Sequence, residues 1–108
     1  MPWKSIMRKF RVEYDIEAES DIEALTIWVA EKTSIEYSRR YVNRIFDEID
    51  ALAYLAPILP KSNYEMPKLY HPDAKTYLIG SKKLMVIFHI DGEYVIVDKI
   101  LPSALIKY

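Results

Sequence analysis

The stretch from Leu84 to Leu101, LMVIFHIDGEYVIVDKIL, constrains the fold of this chain more than any other. Asp91-Gly92 divides two runs rich in β-branched and aromatic residues, the signature of a hairpin with a two-residue loop. With those two residues in the loop, Ile90 pairs with Glu93 and His89 faces Tyr94. Side chains alternate across a strand, so Leu84, Val86, Phe88 and Ile90 share one face with Val95 and Val97. The other face collects Met85, Ile87, His89, Tyr94, Ile96 and Asp98. An antiparallel sheet with one solvated face is polar on that face, and this one is not. Two coverings are open: a partner protein docked on Met85, Ile87 and Ile96, or the chain's own Pro-rich segment or C-terminal tail folded over them.

The rest of the chain supplies a cover for the first face. KFRVEYDI, Lys9 to Ile16, alternates with period two and reads as a strand. From Ala18 to about Lys32, Ala18, Ile22, Leu25 and Val29 recur at helical spacing, behind a first turn crowded with Glu17, Glu19, Asp21 and Glu23. Thr33-Ser34-Ile35-Glu36 has the spacing of a capping box, with Thr33 as N-cap. The second helix then runs to Ala56, before Pro57, and buries Val42, Ile45, Ile49, Leu52, Ala53 and Ala56. Leu59 to Pro72 holds three prolines and little periodicity, an irregular connection that wraps the edge of the sheet. Lys75 to Ile79 is a short strand turned by Gly80-Ser81 into the hairpin, and Pro102 to Tyr108 is a tail. The order β, α, α, β, β, β predicts an α+β domain: an N-terminal strand, a helical hairpin and a three-stranded antiparallel meander, with the helices on one face of a mainly antiparallel sheet. Residues 1–108 form one domain, in which 1–6 read as a leader and Met7 as the functional start.

Composition excludes several classes of function. The chain has no cysteine and two histidines, which argues against disulfides and metal centres. Two glycines leave no phosphate-cradling loop. No apolar run spans a bilayer and no secretory h-region opens the chain, which places the protein in the cytoplasm. A net charge of -1 argues against a nucleic-acid coat, although the part from Lys61 onward is mildly basic, through lysine alone.

The order of elements, together with FRVEYDIEAESDIEALTIWVAEKTS, VNRIFDEIDALAYLAP and LMVIFHIDGEYVIVDKI, resembles the RelE/ParE superfamily of type II toxin–antitoxin toxins. The resemblance covers about Met7 to Ile100 and lies in the order and spacing of hydrophobic patterns. It implies a growth-inhibiting toxin, held inactive by a cognate antitoxin, with no cofactor. Two targets are known in the superfamily: RelE-like members cut mRNA on the ribosome, and ParE-like members poison DNA gyrase. In the RelE-like hairpin strand an arginine follows the first aromatic residue, and Met85 stands there in Leu84-Met85-Val86-Ile87-Phe88. A thioether cannot stabilise a phosphorane, so the resemblance leans toward ParE-like or otherwise non-nucleolytic action. The alternatives are an mRNA endoribonuclease and an inactive relative that only binds.

Cleavage by 2′-hydroxyl attack needs a base, cations and an acid. The residues that would supply them are His89, Tyr108, Lys75, Lys82 and Lys83, beside Lys99 and Lys107; the bland reading is solvated lysines and an aromatic His89–Tyr94 pair. His71, in a Pro-flanked loop, reads as structural or idle. For the antitoxin or another partner the expected contacts are Met85, Ile87, Tyr94 and Ile96 on the sheet, and Arg39 and Arg40 on the second helix. No Asp/Glu/His spacing suggests a metal site.

Overall fold

The computed structural model describes residues 9–105. β1 (Arg11–Tyr14) leads into α1 (Ile16–Lys32) and α2 (Ile35–Asp50), which a short α3 (Leu52–Leu55) extends. After an irregular crossing with one turn of helix, α4 (Glu65–Lys68), come β2 (Lys75–Ile79), β3 (Leu84–Asp91), β4 (Tyr94–Pro102) and a 3₁₀ turn (Ser103–Leu105). The α+β order expected from the sequence stands. The proposed leader and start at Met7 fall outside the described residues, as do the last residues of the tail.

The sheet is mixed, in the order β1-β4-β3-β2. β3 pairs antiparallel with both β2 and β4, while β1 lies parallel to β4, Arg11 opposite Tyr94 and Tyr14 opposite Val97. The parallel pairing follows from the helical hairpin: two antiparallel helices carry the chain across and back before the meander begins, so β1 is free to dock on the last strand.

Local chemistry fixes the helices. Asp15 caps α1, its carboxylate accepting from the Glu17 N–H at 3.2 Å, and α1 therefore begins two residues earlier than its apolar spacing suggests. At the corner the cap is Ser34, accepting from Tyr37 N–H at 3.1 Å, and not Thr33. Thr33 closes α1 instead: its N–H and its hydroxyl both donate to the Val29 carbonyl. The buried Ser38 hydroxyl donates to the Thr26 carbonyl at 2.6 Å and ties the two helices together. Beyond Asp50 the helix is interrupted at Ala51 rather than continuous to Ala56. The interruption lets Leu52, Ala53 and Ala56 stay buried while the Ala53 carbonyl accepts from the Phe10 N–H beside β1.

The hairpin differs from expectation in its turn. Asp91 pairs with Tyr94 and His89 with Ile96, so the loop is Gly92-Glu93. Gly92 takes a φ of +60°, as the first loop position of such a turn demands and as a glycine tolerates. The pairing is displaced by two residues, an even number, so each side chain keeps its expected face and only its partner changes. Further along, Phe88 pairs with Val97 but Ile87 with Lys99, leaving Asp98 as the extra residue of a β-bulge.

Two apolar clusters result. On the helix face Ile22, Ile45, Ile49 and Leu52 meet Val86, Phe88, Val95, Val97 and Ile100. On the opposite face Met85, Ile87, Leu101 and Ala74 form a second cluster, covered by Tyr64, Met66 and Tyr70. The cover is the chain itself: the irregular segment meets the β2 edge, where Lys61 bridges antiparallel to Lys75, and goes on to cross the second face.

Candidate functional site

Where the irregular segment meets the bulge, the second face turns polar. His89 projects from β3, and its Nδ1 lies 2.7 Å from Asp98 Oδ2. Opposite an ionised carboxylate that nitrogen is the one that carries the proton. The partner is thus Asp98, placed by the bulge, and not the expected Tyr94. Over His89 lies His71, ring parallel to within 3° and centroids 4.0 Å apart. Far from idle, His71 is also pinned by its own loop, since its Nδ1 accepts from the Asp73 N–H at 3.0 Å.

Next to this pair β4 runs past the end of β1, and α1 takes the place beside it. Asp21 of α1 accepts the Ile100 N–H at 2.9 Å and binds Lys99 Nζ at 2.8 Å. A carboxylate therefore satisfies a strand edge that β1 is too short to reach. Tyr70, from the crossing segment, completes the group.

The electrostatics are those of a closed pocket of protein. Burial pushes the Asp98 carboxyl up, against the hydrogen bond and charge of His89, which pull it down. The Tyr70 hydroxyl is likewise pushed up by burial, with Glu17 adding to the effect. Lys99 is held protonated above the usual lysine range, chiefly by its bond to Asp21. The His89 and Asp98 side chains are only 14% and 11% exposed, so the dyad has acid–base character but little access to solvent. Among the described residues no three His, Asp or Glu side chains could hold a metal ion.

The other nuclease candidates do not join it. Lys75 sits opposite Phe88 and donates to the Ala56 carbonyl at 2.7 Å, capping the end of the helical run. Burial, with Lys61 nearby, pushes its ammonium below the ordinary range. Lys82 and Lys83 are exposed in the turn before β3. Lys83 is six residue steps along the strand from His89, about 20 Å at ~3.3 Å per residue. Tyr108 lies outside the described residues.

The expected partner surface is also divided. Met85 (5% exposed) and Ile87 (0%) are interior residues, withdrawn from any partner by Tyr64, Met66 and Tyr70. Ile96 is half-buried and Tyr94 exposed near the hairpin turn. Arg39 and Arg40 stand free of the core on α2. Alongside them Tyr37 stacks on Tyr41, and Arg44 lies 6.0 Å from the Tyr41 ring. Tyr41 and Arg44 also line a cleft of about 470 Å³, which Glu48, Gly80 and Lys83 complete. The sequence reading missed His71, Tyr70 and Asp21, which no spacing groups together; they meet only because the Pro-rich segment crosses the sheet.

No protein-family model matches the chain. No curated protein matches it either. Among solved structures, a chain from "Chromosomal ParDE TA system from P. aeruginosa" superimposes with a TM-score of 0.74 at 15% identity, covering 88% of this chain and 97% of that one. At that identity the likeness speaks for the fold: this chain has the mixed-sheet α+β fold of the RelE/ParE type.

Proposed function

We propose that the chain is the toxin of a type II toxin–antitoxin pair acting in the cytoplasm, and that its mode is ParE-like rather than nucleolytic. The observation that carries this reading is the second sheet face, considered together with the fold shared with a chain of a ParDE system. Where ribonuclease relatives would present an arginine, this chain holds Met85 in its interior. A buried thioether offers nothing to a phosphodiester, and the lysines that would have to compensate are scattered or engaged elsewhere. Protein surfaces are better represented: α2 displays Arg39, Arg40 and Arg44 beside a Tyr37–Tyr41 stack, and Tyr and Arg are the residues that dominate binding hot spots. The antitoxin reading accordingly moves to Arg39, Arg40, Tyr94 and Ile96, without Met85 and Ile87.

Induced expression tests the reading. A ParE-like toxin arrests growth with a DNA-damage response and intact transcripts, and co-expression of the short reading frame beside its gene relieves the arrest. Absence of any arrest overturns the toxin reading. Arg40→Glu or Ile96→Glu should weaken the antitoxin complex at least tenfold while leaving the thermal midpoint within a few degrees.

One observation favours the nucleolytic alternative: an imidazole oriented by a carboxylate, as His89 is by Asp98, is the usual form of a general base. On that reading, cleaved transcripts replace the damage response, and His89→Ala abolishes the arrest.

A further inference from the structure

The His71–His89 stack joins two parts of the molecule with different kinds of support. His89 belongs to β3, in the middle of the sheet. His71 belongs to the crossing segment, which is tied mostly to itself: Ser62 N–H donates to the Ala74 carbonyl, Tyr64 N–H to the Ser62 hydroxyl, and Lys61 pairs with Asp73 in the open, besides bridging to Lys75 at the start of β2. The segment meets the sheet face through Tyr64, Met66 and Tyr70 and through the His71 ring.

We propose that the stacked pair is an acid-released latch: it accepts one proton, balanced by Asp98, and a second proton drives the rings apart and lifts residues 59–74 from the sheet face, with loss of the hydrogen bonds the segment makes on itself. Imidazoles are the side chains that gain charge between about pH 8 and pH 5. Two imidazolium rings face to face at 4.0 Å repel; among the described residues Asp98 is the carboxylate bonded to them, and Asp73 lies close enough to His71 to feel its charge. β4 contributes Asp98 and Lys99, and Lys99 is a cation. From α1 come Asp21, which is bound by Lys99 and by the Ile100 N–H, and Glu17, with Asp15 at the cap. The segment itself brings Tyr70, which is neutral, and Asp73, whose carboxylate is 2.8 Å from Lys61.

Proton uptake on opening sets the sign. The open form binds the second proton more readily than the closed form, so the closed form gains stability as pH rises and loses it as pH falls. Opening would uncover Met85, Ile87 and Leu101, a greasy surface that the neutral protein hides. The inference stands apart from the toxin reading, since it needs only the chain's own folding.

Amide hydrogen exchange on the full chain, corrected for the intrinsic effect of pH, tests it. Protection of the Ser62 and Ala74 amides should fall at least tenfold between about pH 8 and pH 5, while Val86 and Val97 stay protected. In His71→Phe, which keeps a ring but cannot take a proton, protection of the segment should be the same at both pH values. In Asp98→Asn, which removes the balancing charge, release should begin at a higher pH. Equal protection at both pH values in the natural chain overturns the latch, as does an undiminished fall in His71→Phe or an unmoved midpoint in Asp98→Asn.

Discussion

The two faces of the central sheet are both apolar, yet they are sealed by different means. On the helix face Phe88, Val86, Val95 and Val97 meet a helical hairpin whose own residues repeat with helical spacing. On the other face Met85, Ile87 and Leu101 meet a segment that has no repeat and carries Tyr64, Met66 and Tyr70 at irregular intervals. The first seal is made of regular elements with a continuous apolar stripe. The second rests on a few large side chains and ends in a polar cluster. A face sealed in the second way can open without the molecule unfolding, because local stability follows local apolar contact.

Core truncations measure that contrast most directly. Phe88→Ala should cost about 4 kcal/mol of unfolding free energy, a large share of the stability of a small domain, as read by urea denaturation. Ile87→Ala, equally buried, should cost about 2 kcal/mol, because the crossing segment can settle into the space that a helix pair cannot fill. Equal losses in the two variants would mean that the second seal is as firm as the first. Ser38→Ala removes the hydroxyl that ties α2 to the Thr26 carbonyl and should cost about 1 kcal/mol. The smallest effect concerns Tyr14, whose hydroxyl is buried with no hydrogen-bond partner among the described residues. Burial, with Asp50 nearby, pushes that hydroxyl far above the ordinary tyrosine range. Tyr14→Phe should therefore be neutral or stabilise by up to about 1 kcal/mol; a clear destabilisation would show that the hydroxyl has a partner in solution.

The same contrast explains what the sequence reveals. Ile45, Ile49 and Leu52 announce their face through helical period, and Val86, Phe88, Val95 and Val97 through alternation, so the helix-covered core is legible residue by residue. The two open coverings of the second face are indistinguishable in one sequence, because an irregular segment and a foreign chain leave the same greasy pattern on the strands. The cap at Ser34 rather than Thr33 turns on a single backbone geometry, and two adjacent hydroxyl residues offer the same signal to the eye. The parallel placement of β1 also escapes period and propensity, which do not record strand direction. His89 could be singled out from its strand, but His71, Tyr70 and Asp21 come from three other parts of the chain and are joined by tertiary structure alone. Of the two readings of His71, structural or idle, the stack on His89 and the bond from the Asp73 N–H fit the structural one.

The bulge at Asp98 lets β4 carry one residue more than its ladder with β3 requires. Upstream of it Val95 and Val97 serve the helix face; downstream Ile100 serves it and Leu101 serves the other. Deleting this one residue would leave Lys99, Ile100 and Leu101 opposite the partners they already have, whereas drawing Asp98 into regular pairing would exchange the faces of everything after it, sending Lys99 toward the helices and Ile100 toward the crossing segment. Homologous chains that lack the bulge residue can therefore keep the two-sided core, but they give up the carboxylate that the bulge sets against His89.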